Sequence, residues 1–246
     1  MTQTTPISSA SGVLYMLPSP LDAFAPWPAD TPQQVRDRAH QLDYFLVESA
    51  KSARATLKRL EHPRPLRELE IVELPPEKNG GQLRPLLEPV RAGRSAGVIS
   101  DAGCPGVADP GALVARTAHA MGIEVVPLVG PSSILLGLMA SGLNGQSFAF
   151  HGYLPVDDAA RARTLTNLEK TSAQLRQTQL FIETPYRNLR MFDAIRTNCR
   201  GDTLLCIASA LTAPDQFVRT LTVSQWKTQD VERIDRRPTL FLLLAG

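Results

Sequence analysis

Gly97-Val98-Ile99-Ser100-Asp101-Ala102-Gly103-Cys104-Pro105-Gly106-Val107-Ala108-Asp109-Pro110-Gly111 runs from a short apolar segment into a loop of Gly, Pro, Asp and Ser, and a helical pattern follows. The apolar segment predicts a buried strand over Gly97–Ser100. From about Ala112 to Met121, the residues Leu113, Val114, Ala118 and Met121 share one face, and Gly122 stops the helix. A strand that opens into a glycine-bearing loop and then a helix is the unit of an α/β fold. In open α/β sheets ligands bind beyond the carboxyl ends of the strands, so this loop is expected to border a pocket. Gly103, Gly106 and Gly111 admit positive φ and close backbone approach, and Asp101 can accept hydrogen bonds from an ammonium or a hydroxyl. Asp101 and Asp109 also have a plainer role open to them, as caps of the turn and the helix.

The same unit recurs outward from this stretch. Val13–Leu17, Tyr44–Val47, Leu69–Leu74 and Val125–Leu128 read as strands separated by loops or amphipathic stretches, which gives the first half a largely parallel sheet. Thr31 is placed to cap a helix with Pro32 in its first turn and Val35, Ala39 and Leu42 on one face. Pro85 and Pro89 make the segment between Gly80 and Gly93 a poor regular helix. The turn-rich stretch Ser141-Gly142-Leu143-Asn144-Gly145-Gln146 precedes the aromatic run Phe148-Ala149-Phe150. It marks the expected boundary between domains spanning 12–145 and 146–246, with residues 1–11 a flexible tail. Beyond it a helix is expected around Ala159–Lys170, a strand at Gln179–Glu183, and a helix at Asn188–Cys199 with Leu189, Phe192, Ile195 and Cys199 aligned. Strands follow near Thr203–Ala208, Phe217–Thr222 and Thr239–Ala245; they lie too close together for full helical crossovers, so the second sheet is mixed.

Composition narrows the class. A chain of 246 residues with 43% hydrophobic and 20% charged residues is globular and long enough for two small domains. Its formal net charge of +2 creates no global field that announces nucleic acid. Cys104, Cys199 and Cys206 are odd in number and lack C-x-x-C spacing, which argues against a disulfide framework and fits a reducing cytoplasm. His40, His62, His119 and His151 are scattered without ligand spacing, so no metal is expected. The start of the chain lacks the basic and apolar stretches of a secretory signal. The apolar runs Ile134–Ala140 and Leu240–Ala245 fall far short of the about 18 residues a membrane span needs. A cytoplasmic protein without membrane contact is the expectation.

Two further segments can carry chemistry. In Val126-Pro127-Leu128-Val129-Gly130-Pro131-Ser132-Ser133 a strand again ends in a loop, and Ser132 or Ser133 can cap the helix that follows. Neither this stretch nor the first contains G-x-G-x-x-G or G-x-x-x-x-G-K-[ST], which disfavours a nicotinamide dinucleotide or a nucleotide triphosphate. The absence of G-x-S-x-G weakens a hydrolase reading. The third segment, Ile182-Glu183-Thr184-Pro185-Tyr186-Arg187-Asn188, sets an acid, an aromatic and a base at a strand end; a Glu183–Arg187 pair that fixes the turn is the plainer reading. His151 ends a strand at the domain junction, where a satisfied structural histidine is the plainer reading.

Four motifs in order, Ser-Asp-Ala-Gly-Cys-Pro at 100–105 with Asp109-Pro110-Gly111, Val-Pro-Leu-Val-Gly-Pro-Ser at 126–132, Ala-Ser-Gly-Leu at 140–143 and Gly-Tyr-Leu-Pro at 152–155, resemble the tetrapyrrole methylase superfamily. The likeness is to the branch that methylates a cytidine ribose 2′-oxygen of 16S ribosomal RNA, and it extends more weakly from Val13 to Gly246. It implies two α/β domains with S-adenosylmethionine (SAM) in the cleft between them, usually in a homodimer. Carried over, Ser100, Asp101, Ala102 and Gly103 line the methionine end of SAM, and Gly130, Pro131, Ser132 and Ser133 sit beneath it. Ile182 and the stretch from Ala208 through Leu211 to Thr212 approach the adenosine.

Several motifs depart from that branch. Its P-T-P-I-G-N-L is replaced by Leu17-Pro18-Ser19-Pro20-Leu21-Asp22-Ala23-Phe24, its A-E-D-T-R by Val47-Glu48-Ser49-Ala50-Lys51, and its R-E-L-T-K by Ser209-Ala210-Leu211-Thr212-Ala213. Its D-H-N-E has no counterpart near Leu74-Pro75-Pro76-Glu77. The motifs on the cofactor side survive while the substrate side has changed. The resemblance therefore implies a SAM-dependent methyltransferase acting first on RNA ribose, with a tetrapyrrole or other small acceptor as one alternative and SAM binding without catalysis as another. Asp101, Glu48, Glu183 and His151 are the polar candidates for receiving an acceptor's proton, and none is singled out as catalytic.

Overall fold

The computed structural model describes residues 11–22, 31–76 and 81–246. Most of the expected tail, and Ala23, Phe24 and Glu77 in the divergent motifs, lie outside them. Compactness divides the chain into one unit up to Pro131 and a second from Ser132 to Gly246.

In the first unit, β1 (Val13–Leu17), β2 (Tyr44–Val47), β3 (Glu70–Glu73), β4 (Ala96–Ile99) and β5 (Glu124–Pro127) form a sheet in the order β3-β2-β4-β1-β5, and every pairing is parallel. β2 and β4 are buried at every residue, as strands covered on both faces must be, whereas the edge strands β3 and β5 carry glutamates. One face packs Leu14, Met16, Leu46 and Val98 against α3 (Leu83–Arg91) and α4 (Gly111–Ala120). The other packs Leu17, Phe45, Val47 and Ile99 against α1 (Gln33–His40) and α2 (Ala50–Arg59).

Three expectations change here. The 80–93 segment contains the regular helix α3: Leu83, Leu87 and Val90 bury one face, Pro85 sits in the first turn where its missing N–H is not needed, and Pro89 is carried inside the helix by that burial. Thr31 does not cap α1; Pro32 occupies the cap position with extended backbone and no side-chain bond. The sequence reading passed over α2 because only Ala53, Thr56 and Leu57 face inward, too few to show a period beside four basic residues.

In the second unit, β6 (Phe148–Tyr153), β7 (Thr178–Glu183), β8 (Leu204–Ser209), β9 (Phe217–Thr222) and β10 (Thr239–Leu244) pair in the order β6-β7-β10-β8-β9. Only β6 and β7 run parallel, so the sheet is mixed. One face packs Phe181, Leu205, Ile207, Phe241 and Leu243 against α6 (Asp158–Leu175), α7 (Asn188–Asn198) and the short α8 (Val223–Trp226). Trp226, wholly buried there, donates its indole N–H to Leu205 O at 2.8 Å. The other face is covered by α5 (Ser133–Ser141). A Cβ on Gly137 would lie 2.5 Å from Leu240 Cδ2, so glycine lets this helix press onto β10. That packing places α5 with the second unit, ahead of the turn-rich stretch at 141–146.

Candidate functional site

β1 and β4 lie side by side, yet the chain leaves them toward opposite faces: after β1 toward α1, after β4 into α4. Where neighbouring parallel strands part in this way, a crevice opens at their carboxyl ends. The two loops are tied across it. Ser19 N donates to Gly103 O at 2.8 Å, and Gly103 N donates to Ser19 O at 3.0 Å. The buried Ser19 hydroxyl donates to Ser100 O at 2.7 Å, and Ser100 Oγ lies 3.3 Å from Ala102 O and 3.4 Å from Gly103 O.

Gly103 adopts φ +72°, in the left-handed region. A Cβ there would meet only ordinary contacts, Leu21 Cδ2 at 3.4 Å and Pro131 O at 3.6 Å, so glycine is required by the torsion and not by space. Gly130 is the reverse case, because a Cβ would fall 2.2 Å from Pro18 Cβ. Cys104 Sγ reaches Pro131 O at 3.3 Å. Ser100, Gly103, Gly130 and Pro131 thus come together, with Ala102 in the same loop and Asp101 exposed on it. What joins them is Pro18-Ser19, which sequence reasoning treated only as a departure; a Pro-Ser-Pro run closing a buried strand was the signal for it. Ser132 Oγ caps α5, accepting from Leu135 N at 3.5 Å, and Ser133 is the first residue of that helix.

Asp109 braces the far end of the loop. Its Oδ1 accepts from Gly106 N at 2.8 Å and Gly111 N at 2.6 Å, while Oδ2 is buried without a hydrogen-bond partner among the described residues. Burial pushes this carboxyl up; the amide bonds oppose the shift and the Asp101 charge adds to it. Glu48, at the end of β2, accepts from Asp101 N at 3.3 Å. Its carboxyl is also raised, first by desolvation, against the Asp101 amide bond and with the Asp101 and Asp109 charges adding. Burial raises the Cys104 thiol, with Asp109 adding. Three carboxyl groups with no ion-pair partner among the described residues therefore stand at the carboxyl ends of β2 and β4. No group of three or more His, Cys, Asp or Glu that could hold a metal occurs among those residues.

In the second unit Ile182 and Ala208 both pair with Leu240, and together with Leu211 they belong to the apolar cluster beneath α5. Ala210 (φ +51°) and the β-branched Thr212 (φ +71°) are held in left-handed torsions, at a cost on the order of 1–3 kcal/mol each. Thr212 Oγ1 is buried without a hydrogen-bond partner among the described residues. Two proton-acceptor candidates are already engaged. Glu183, buried, accepts from Thr184 N at 2.6 Å and from Arg187 Nε and Nη2 at 3.0 and 2.7 Å, which is the turn-fixing role. His151 Nε2 lies 2.6 Å from the buried Gln179 Oε1. Sequence reasoning missed Asn188, which is wholly buried and donates to Ile234 O at 2.9 Å and Arg237 O at 2.7 Å, tying α7 to the strand entry beyond.

No family profile matches the chain. It is 28% identical over 249 residues to the ribosomal RNA small subunit methyltransferase I of Vibrio cholerae, an alignment covering 100% of this chain and 81% of the relative. Its fold matches the methyltransferase CobJ with a TM-score of 0.63 at 17% identity, over 96% of this chain and 95% of that one. The chain has the fold of that methyltransferase. By sequence it is a homologue of the ribosomal RNA small subunit methyltransferases I. The Bacillus subtilis relative of that name is 27% identical over 90% of this chain and 72% of its own length. The Mesorhizobium japonicum relative reaches 37%, over 60% of this chain and 49% of the relative, so the stronger likeness covers about half of that protein. No described helix is long and apolar enough to cross a membrane.

Proposed function

We propose that this chain is a methyltransferase that moves a methyl group from SAM to small-subunit ribosomal RNA, at a ribose 2′-oxygen. The observation that carries the reading is the end-to-end likeness to a methyltransferase of that name, in a chain whose parallel sheet ends in a braced, glycine-bearing loop at its crevice. The residues fit the cofactor. SAM is cationic at its sulfonium and its ammonium, and Glu48, Asp101 and Asp109 offer carboxyl groups that have no ion-pair partner among the described residues. The buried Oδ2 of Asp109 lacks a donor among the described residues, and Gly103 holds a left-handed torsion in the loop beside it.

Ser100, Asp101, Ala102, Gly103, Gly130, Pro131, Ser132 and Ser133 are the proposed contacts in the first motifs; Ile182, Ala208, Leu211 and Thr212 are those of the second unit. Bound SAM supplies a methyl group on a leaving sulfonium. What the chain must add is placement of the acceptor and exclusion of water. Glu48 and Asp101 are the groups suited to receiving the hydroxyl proton, since Glu183 and His151 are engaged elsewhere. The Glu48 carboxyl, raised by burial, is a stronger base for that proton than an ordinary glutamate. The cytoplasm, where ribosomes are made, is the proposed location, and a homodimer the proposed assembly. Support for the dimer comes from α5, whose outer residues Leu135 and Met139 are 53% and 79% exposed.

A second reading, a SAM-binding protein without catalysis, draws on Ser209–Ala213, where the family's charged motif is replaced by small neutral residues. Incubation with methyl-labelled SAM and unmodified small ribosomal subunits separates the two. Label in a 2′-O-methylated nucleoside supports the enzyme; SAM binding without transfer to RNA or to cell extract supports the binding protein.

A further inference from the structure

We propose that the outer face of α2 is a docking track for the phosphate backbone of the RNA substrate; this rests on the RNA reading above. Lys51, Arg54 and Lys58 stand at i, i+3 and i+7, one exposed stripe on a helix whose opposite face buries Ala53, Thr56 and Leu57. The helix contains no acidic residue. None of the three cations forms an ion pair among the described residues. Elsewhere in the same unit Arg36 pairs with Glu61, Arg64 and Arg94 with Asp43, and Arg91 with Glu88. A helix face kept only for solubility mixes both signs, because pairs three and four apart support the helix. Here Lys51 and Arg54 instead repel along the first turns, where the helix dipole already disfavours positive charge.

Position gives the stripe its partner. α2 begins directly after β2, at the carboxyl end of the parallel sheet, and its Lys51 lies three residues from Glu48, which accepts from the Asp101 amide of the cofactor loop. Lys51 therefore stands at the rim of the proposed site, and Arg54 and Lys58 lead away from it. From Lys51 to Lys58 the helix rises about 10 Å, which matches on the order of three phosphates of one nucleic-acid strand. A small acceptor would have no use for charge extended in this way. The overall charge of +2 hides the feature, since basic and acidic residues nearly balance over the chain.

The test is the exposed triple variant Lys51→Glu, Arg54→Glu, Lys58→Glu, with Arg163→Glu, Lys170→Glu, Lys227→Glu on the second unit as the control for net charge. Binding of a 16S ribosomal RNA transcript is measured across a salt series, beside SAM affinity and methyl transfer to small ribosomal subunits. The expected result is that the α2 variant binds SAM as the parent does, raises the KM for RNA, and makes the slope of log K against log salt shallower by about 2, from three lost contacts; the control changes little. If both triples weaken RNA binding alike, net charge is responsible and the track is overturned. If RNA is methylated with unchanged KM and slope in the α2 variant, the track is overturned while the RNA reading stands. If the parent binds and methylates no RNA but transfers methyl to a small acceptor, or if the stripe governs only binding to anionic vesicles, the track is overturned; in the first case the RNA reading falls with it.

Discussion

Ser19 and Gly103 hydrogen-bond each other through both their backbone amides, at 2.8 and 3.0 Å, so that the loops leaving β1 and β4 behave as one piece. Gly103 holds φ +72° in that bridge. Gly103→Ala should cost about 1–2 kcal/mol, the penalty of a left-handed torsion, since the added methyl meets no closer neighbour than 3.4 Å. Urea unfolding gives the number; a neutral effect would mean that the loop relaxes to another torsion.

Gly130→Ala should destabilise by a similar or larger amount, about 1–3 kcal/mol, for a different reason. Its methyl would fall 2.2 Å from Pro18 Cβ, on a ring that cannot rotate away. Gly137→Ala meets only the end of the Leu240 side chain, which can turn aside, and should be the milder of the two in the same assay.

Asp109→Asn keeps an acceptor for the Gly106 and Gly111 amides and removes a buried charge; Asp109→Ala leaves both amides unbonded. The alanine variant should therefore lose about 1–3 kcal/mol and the asparagine variant less. The pH dependence has a definite sign. Because the folded-state carboxyl is raised above 3.8, the parent's stability relative to the asparagine variant is greatest below that value and declines as pH rises through the folded-state pKa. Thermal melts of both proteins from pH 3 upward show whether the curves converge or separate in that direction.

Glu48→Gln should lower the methyl-transfer rate by about 10²-fold or more while leaving SAM affinity near the parent's, if Glu48 receives the acceptor's proton. The parent's rate should rise with pH through a window above the ordinary 4.5, as the raised carboxyl ionises. A variant with full activity would pass the role to Asp101.

Both sheets were legible in the sequence because strands covered on both faces, such as Tyr44–Val47 and Leu240–Leu244, are nearly unbroken apolar runs. The α2 helix was not, since a helix that buries only Ala53, Thr56 and Leu57 has almost no apolar period. The loop at Ser100–Gly103 could be read from its glycines. Of its brace the Pro-Ser-Pro run marked one side, but not the partner, because Ser19 and Ser100 are 81 residues apart and their bond reflects strand order. Asp109, through its Oδ1, and Glu183 took the plainer of the roles open to them, since a carboxylate oxygen next to backbone amides or an arginine is consumed by those partners. The torsions at Ala210 and Thr212 are tertiary in origin: their loop is pinned by Ala210 N to Pro238 O at 2.8 Å and by the Arg237–Asp215 ion pair.

The three thiols should be nearly inert in the folded protein. Burial pushes Cys199 up to about 12 and Cys206 up to about 11, so at pH 8 on the order of one in a thousand or fewer of either is thiolate. Ellman's reagent should find little reaction in buffer and three equivalents in denaturant. A fast native equivalent would place one of these cysteines nearer solvent than its packing allows.

Calorimetric titration of SAM into the parent and into Gly103→Val tests most directly whether the tied loops of β1 and β4 hold the cofactor. The account predicts one site per chain in the parent and no measurable heat in the variant, with the variant's far-ultraviolet circular dichroism retained. Equal affinity in the two proteins, or no binding by the parent, would contradict it.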